Sequence, residues 1–158
     1  MHGLHLTADL HDCAAHRPSM TDPLALRALC LRAVEGAGLR PVGELFHRFE
    51  PLAAAVAATH RHADGAPVGG ITGVILLAES HLAVHTWPEM AAVTLDVYVC
   101  NVGADNSSSA HAVLEMLIAA FVPGRVGRHA LVRGQVAAST DYTTGTASAP
   151  HLEHRASA

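Results

Sequence analysis

Three strand-length apolar runs follow one another between Ile71 and Val99, and this block constrains the fold more than any other feature of the chain. Ile71–Leu77 reads as a buried strand, Leu82–Trp87 continues in strand, and Val93–Val99 alternates cleanly between apolar and polar residues. Pro88-Glu89-Met90-Ala91 is a turn, and the gap before Ile71, through Gly69-Gly70, is short and hairpin-like. Parallel neighbours need a crossover of about a dozen residues, so this part of the sheet is expected to be antiparallel.

The flanks add two helices and three strands. From Gly3 to Asp12, Leu4, Leu6, Ala8 and Leu10 alternate with His5, Thr7, Asp9 and His11, the pattern of a half-buried strand. Thr21-Asp22-Pro23 opens a helix with an apolar stripe of Leu24, Leu26, Leu29, Leu31 and Val34, which Gly36 and Gly38 stop. Pro41–Phe49 reads as a strand. Asp105-Asn106-Ser107 caps a helix running to about Phe121, and Val126–Val136 reads as the last strand. The expected fold is α+β: a two-layer α/β sandwich, a largely antiparallel sheet with helices on one face. Such a sheet leaves its other face uncovered, and a partner subunit is the natural cover. We expect one domain over residues 1–137, with an inserted loop at about 52–70. Residues 138–158, rich in Ser, Thr, Ala and Gly, are expected to form a disordered tail.

Composition narrows the chemistry. Of 158 residues, half are hydrophobic and only 4% aromatic, so the core must be built from Ala, Val, Leu and Ile. The net charge is −4 and the 10 cationic side chains are scattered arginines, which excludes a basic nucleic-acid stripe. No apolar run is long enough to span a bilayer, and Met1-His2-Gly3-Leu4-His5 lacks the basic and apolar regions of a signal peptide. We expect a cytoplasmic protein. Cys13, Cys30 and Cys100 have no spacing that suits a disulfide framework or a zinc site. His60-Arg61-His62 near Asp64 has no further ligands at suitable spacing, so no metal is expected. The chain contains no lysine, so no cofactor or substrate can be held as a lysine Schiff base. Any imine chemistry needs a carbonyl from another source.

The segment from Ala78 to Glu89, AESHLAVHTWPE, is the chemically richest. In strand geometry His81, Ala83, His85, Trp87 and Glu89 share one face, and Leu82, Val84 and Thr86 the other. Residue types alone fit a site lining and a solvent-exposed face equally well. Ser80 falls on the opposite face from His85. A bend at Ser80 would bring the two to one side, whereas a regular strand keeps them apart.

Glu79-Ser80-His81-Leu82-Ala83-Val84-His85-Thr86-Trp87-Pro88-Glu89 resembles the processing-site motif of the prokaryotic S-adenosylmethionine decarboxylase proenzymes. The likeness extends to Leu4-His5-Leu6-Thr7-Ala8-Asp9 through Cys13, Phe46-His47-Arg48-Phe49, Thr72-Gly73-Val74-Ile75 and Asp96-Val97-Tyr98-Val99-Cys100, and covers roughly Leu4 to Arg133. It implies a self-processing, pyruvoyl-dependent decarboxylase that supplies the aminopropyl donor for spermidine and other polyamines. The chain would be cut between Glu79 and Ser80. Ser80 would become a covalent pyruvoyl group, which forms a Schiff base with the substrate amine.

The resemblance also implies roles. His85 is the base of processing, with Thr72 in support where many relatives carry serine. Cys100 is the proton donor in decarboxylation. Phe49 and Trp87 would hold an adenine ring and Glu89 the ribose hydroxyls. Cys13 and Cys30 are assigned to packing. The implied substrate is S-adenosylmethionine and the implied assembly a homodimer, with no nucleic acid or membrane partner. A pyruvoyl-dependent decarboxylase of ornithine or arginine would use the same Ser80, His85 and Cys100. A non-processing regulatory homologue would have no need of them.

Overall fold

The structure, a computed structural model, describes residues 2–49 and 69–134. Its strands are β1 (Gly3–His11), β2 (Pro41–Arg48), β3 (Ile71–Leu77), β4 (Ser80–Trp87), β5 (Ala92–Cys100) and β6 (Arg125–Arg133). Its helices are α1 (Pro23–Gly36) and α2 (Ser107–Phe121). The strands form one sheet in the order β2-β3-β4-β5-β1-β6, and every pairing is antiparallel. This is the α+β sandwich that the alternating runs imply, with both helices on one face. The 52–70 loop, except Gly69 and Gly70, and the 138–158 tail lie outside the described residues, as do His60 and His62.

Strand parity builds the core. Leu6, Ala8 and Leu10 of β1, Ile71 and Ile75 of β3, Leu82 and Val84 of β4, and Val93, Leu95 and Val97 of β5 are buried against the helices. From the other side α1 contributes Leu26, Leu29, Cys30, Ala33 and Val34, and α2 contributes Val113, Leu114, Leu117 and Phe121. Fully burying one Leu, Val or Phe side chain contributes about 1.5–3 kcal/mol. This layer, rather than the propensity of two short helices, therefore holds the fold. Leu24, expected in the α1 stripe, is 74% exposed. It stands in the first turn, where Asp22 Oδ1 accepts the Leu24 N–H at 2.9 Å, and its side chain precedes the turns that reach the sheet.

Two connections are short hairpins. Leu77 pairs with Ser80, so β3 and β4 are joined by Ala78 and Glu79 alone. A 3-10 turn, Pro88–Met90, joins β4 to β5 and takes Glu89 off the strand path. Thr86, buried in the core face, ties the sheet to the turn before α1: its hydroxyl donates to the Met20 carbonyl at 2.8 Å and accepts from Ile71 N–H at 2.9 Å. Gly70 is required by close approach, because a Cβ there would collide with the Thr86 carbonyl and the Phe49 ring.

The face away from the helices is open. It carries His5, His81, His85, Trp87, Asp96 and Tyr98, all half-buried, together with the exposed Leu45, Leu76 and Leu131. Among the described residues no helix is long and apolar enough to cross a membrane.

Candidate active site

Ser80 stands at the end of the two-residue hairpin, where the backbone reverses. The Cys100 N–H donates to Ser80 Oγ at 3.0 Å. That bond crosses from β4 to the end of β5 and holds the hydroxyl oxygen as an acceptor, leaving its own proton free to be given away. Cys100 is buried in the same small cavity as Ser80, a space of about 180 Å³ that Arg40, Glu79 and Asn106 also line.

The loop after Cys100 is fixed by side-chain amides. Asn106 Nδ2 donates to the Cys100 carbonyl at 3.0 Å. Asn101 Oδ1 accepts from Asn106 N–H at 2.9 Å, and Asn101 Nδ2 donates to Ser107 Oγ at 3.1 Å. Asn106 thus stands in the N-cap position of α2 without capping it. Asp105 takes that work, accepting from Ser107 N–H at 2.9 Å, and the Ser107 hydrogen bonds hold its carboxyl below the usual range.

A larger cavity, of about 440 Å³, opens from Ser80 and Glu79 toward the open face of the sheet. Leu76, His81, Tyr98 and Arg133 line it, and the Arg133 guanidinium lies 5.2 Å from the Tyr98 ring centroid. Ser80 is therefore reachable from both faces of the sheet.

The second group lies at the opposite end of β3 and β4. Thr72 and His85 are register partners, and Thr72 Oγ1 is 3.1 Å from His85 Nδ1. The His85 and Trp87 rings are 5.8 Å apart, tilted by 31°. Phe49 lies one strand away, its N–H donating to the Gly70 carbonyl at 3.1 Å and its ring against Gly70. Glu89 follows on the 3-10 turn rather than on the strand face the parity argument gave it. Its Oε2 is buried and has no hydrogen-bond partner among the described residues. A buried, unpaired carboxylate oxygen is costly and awaits a donor.

The structure thus brings Glu79, Ser80 and Cys100 together, and separately Thr72, His85, Trp87, Phe49 and Glu89. It does not bring the two groups together within one chain. The strand does not bend at Ser80, which keeps the parity of Leu82 and Val84. His85 lies five residues along β4 on the other face, and at about 3.3 Å per residue that is about 16 Å. The other two thiols are held protonated: burial pushes Cys30 up to about 12, and burial with the adjacent Asp12 charge pushes Cys13 up to about 11. Asn101, Asn106, Arg40, Tyr98 and Arg133 escape sequence reasoning. Strand parity places Tyr98 on the face of Asp96, but nothing local shows that a loop amide turns back to Cys100.

Residues 4–134 match the S-adenosylmethionine decarboxylase family. The chain is 32% identical to the S-adenosylmethionine decarboxylase proenzyme of Aquifex aeolicus over 134 residues, 85% of this chain and 82% of that protein. It is 33% identical to the proenzyme of the same name from Persephonella marina, over 85% of this chain and 84% of that protein. The crystal structure of the Aquifex aeolicus adenosylmethionine decarboxylase superposes with a TM-score of 0.67 at 29% identity, covering 88% of this chain and 96% of that one.

Proposed function

We propose that this chain, which belongs to the S-adenosylmethionine decarboxylase family, decarboxylates S-adenosylmethionine on a pyruvoyl group made from its own Ser80, in the cytoplasm and in the service of polyamine synthesis. The observation that carries the reading is the Cys100 N–H bond to Ser80 Oγ, at a hairpin whose second turn residue is Glu79. The residues present fit the group. A serine at a tight turn, its oxygen oriented by a backbone donor and its cavity shared with a buried thiol, is the arrangement that self-processing requires.

Processing uses the chain's own atoms. Ser80 Oγ attacks the Glu79 carbonyl carbon as its proton leaves, the Glu79–Ser80 C–N bond breaks, and the peptide becomes an ester with a free Ser80 amine. A base then takes the Ser80 Cα proton, the ester C–O bond breaks, and Glu79 departs as a carboxylate. Water hydrolyses the remaining dehydroalanine with release of ammonia. The pyruvoyl group so formed supplies a ketone that acts as an electron sink for decarboxylation. Cys100 Sγ, in the Ser80 cavity, returns a proton to the substrate carbon after CO₂ leaves. The faces of Trp87 and Phe49 suit an adenine ring, and the unpaired Glu89 oxygen suits a ribose hydroxyl.

The separation of about 16 Å between Ser80 and His85 along β4 supports a homodimer. Stacking the open faces about a two-fold axis that runs across the strands lays the Ser80 end of one copy over the His85 end of the other. Each site then combines Ser80 and Cys100 of one copy with Thr72, His85, Trp87 and Glu89 of the second. Intact-mass measurement tests the processing step: the wild type should yield two fragments, the C-terminal one beginning with the pyruvoyl group, and Ser80→Ala should yield one chain. A wild type that stays whole at several pH values refutes the reading.

A further inference from the structure

The open face holds a second cluster, which shares His81 and Tyr98 with the larger cavity beside Ser80 and has no part in the chemistry assigned above. His5 of β1 and His81 of β4 both pair with Tyr98 of β5, from opposite sides, and Asp96 stands two residues before Tyr98 on the same face. Both imidazoles turn toward one oxygen. His5 Nε2 is 2.8 Å from Asp96 Oδ1, and His81 Nε2 is 3.4 Å from the same atom. One candidate ligand atom from each of the three residues lies within 4.8 Å of the other two. The Tyr98 ring packs edge-on to His5 at 5.9 Å and tilted against His81 at 5.6 Å, which restricts both imidazoles.

We propose that His5, His81 and Asp96 form a binding site for a divalent transition-metal ion such as Zn²⁺. The three residues sit on three adjacent strands of the sheet, a scaffold more rigid than a loop. Two imidazoles and one carboxylate suit Zn²⁺, Co²⁺ or Ni²⁺, whereas Mg²⁺ and Ca²⁺ take oxygen ligands. Tetrahedral bonds of about 2.0–2.1 Å put ligand atoms about 3.3 Å apart. The His81–Asp96 separation of 3.4 Å already meets that spacing. The His5–Asp96 contact of 2.8 Å has to open slightly, exchanging a hydrogen bond for two metal bonds. Three protein ligands leave at least one further coordination position, on the side away from the helices, which the proposed stacking of open faces would set between the two copies. Sequence spacing cannot reveal such a site, because its ligands are 76 and 15 residues apart and meet only through register.

The site has a consequence for a processed chain. His81 directly follows Ser80, so the ion anchors β4 one residue beyond the point where the chain would be cut. Binding itself needs no cleavage, and the uncut Ser80→Ala chain should bind equally, which separates this proposal from the processing reading.

Titration of the full-length chain with Co²⁺, followed by its visible absorption, tests the site. One equivalent should bind, Zn²⁺ should displace it, and Asp96→Asn or His5→Gln should weaken binding at least about tenfold. A His60→Gln/His62→Gln double variant should bind like the wild type. The competing account is a carboxylate that merely accepts hydrogen bonds from two imidazoles; it predicts no stoichiometric Co²⁺ spectrum. That result overturns the proposal, as does a spectrum lost in the His60→Gln/His62→Gln variant or unchanged in folded Asp96→Asn and His5→Gln. A measurement on the wild type needs no variant to fold: paramagnetic broadening of amide resonances by one equivalent of Co²⁺ should centre on His5, His81 and Asp96, and broadening centred elsewhere refutes the site.

Discussion

Mixing two inactive variants tests whether each processing site is built from two copies. Ser80 lies on the helix-side face at one end of β4, and His85 lies about 16 Å along the strand on the other face, too far for any proton transfer within one chain. On the proposed assignment Ser80→Ala alone has no nucleophile. His85→Ala alone would then have the nucleophile and no base, and loss of a general base slows such a step by about 10²–10⁴-fold. On the proposed pairing, a hybrid dimer of the two has one complete site, with Ser80 from the His85→Ala chain and His85 from the Ser80→Ala chain, and one site lacking both. In an equal mixture that pairs at random, about half of the His85→Ala chains meet the complementary partner. Co-expression with two different tags, followed by denaturing electrophoresis, should therefore show cleavage of about half the His85→Ala chains and of none of the Ser80→Ala chains. Wild-type cleavage by His85→Ala alone would refute the argument. So would uncut His85→Ala chain in hybrid dimers isolated through both tags.

Cys100→Ala should still be cut but release no CO₂, because the proposed role of the thiol comes after processing; CO₂ release at the wild-type rate sinks its assignment as proton donor. Trp87→Ala and Glu89→Gln should leave cleavage intact and lower kcat/KM for S-adenosylmethionine by about 5- to 150-fold, the equivalent of about 1–3 kcal/mol for a lost stacking or hydrogen-bonding partner. A parallel CO₂ assay on ornithine and arginine checks the substrate, and preference for either would overturn it. The Cys30 thiol ionises at 9.0 in its ordinary state and at about 12 when folded. Only the unfolded chain therefore gives up this proton as pH rises above 9.0, so its contribution to stability falls across that window. Native protein at pH 8.5 should leave Cys30 unalkylated by iodoacetamide, and rapid native labelling would show that the site is not buried.

What could be read from sequence follows from what each residue's environment depends on. The faces of β1, β4 and β5 depend on a period of two, and Leu6, Val84 and Leu95 lie on the side that their alternation gives them. Ser80 and His85 likewise divide as parity requires, so their placement on opposite faces was already visible in five residues of spacing. Other features depend on register and loop path, which leave no local trace. Asn106 looks like a helix cap and instead holds the Cys100 carbonyl, while its neighbour Asp105 caps. Glu89 looks like the next position on a strand, but the 3-10 turn carries it away, and its buried oxygen shows only in three dimensions. His5 and Asp96 are 91 residues apart, and only the antiparallel pairing of β1 with β5 makes them neighbours.

The strand order has a consequence for what a cut at Ser80 would leave behind. The upstream piece would own β1, β2 and β3, and the downstream piece β4, β5 and β6. In the sheet these do not fall into two blocks: β3 borders β4, and β1 is inserted between β5 and β6. Three ladders would therefore run between the pieces, and one strand of the first would be enclosed on both edges by strands of the second. Such a pair is interlocked, and separating it means dismantling the sheet. Loss of the Glu79–Ser80 peptide bond would thus be mechanically silent, and the two pieces should stay together through dilution and gel filtration, parting only in denaturant.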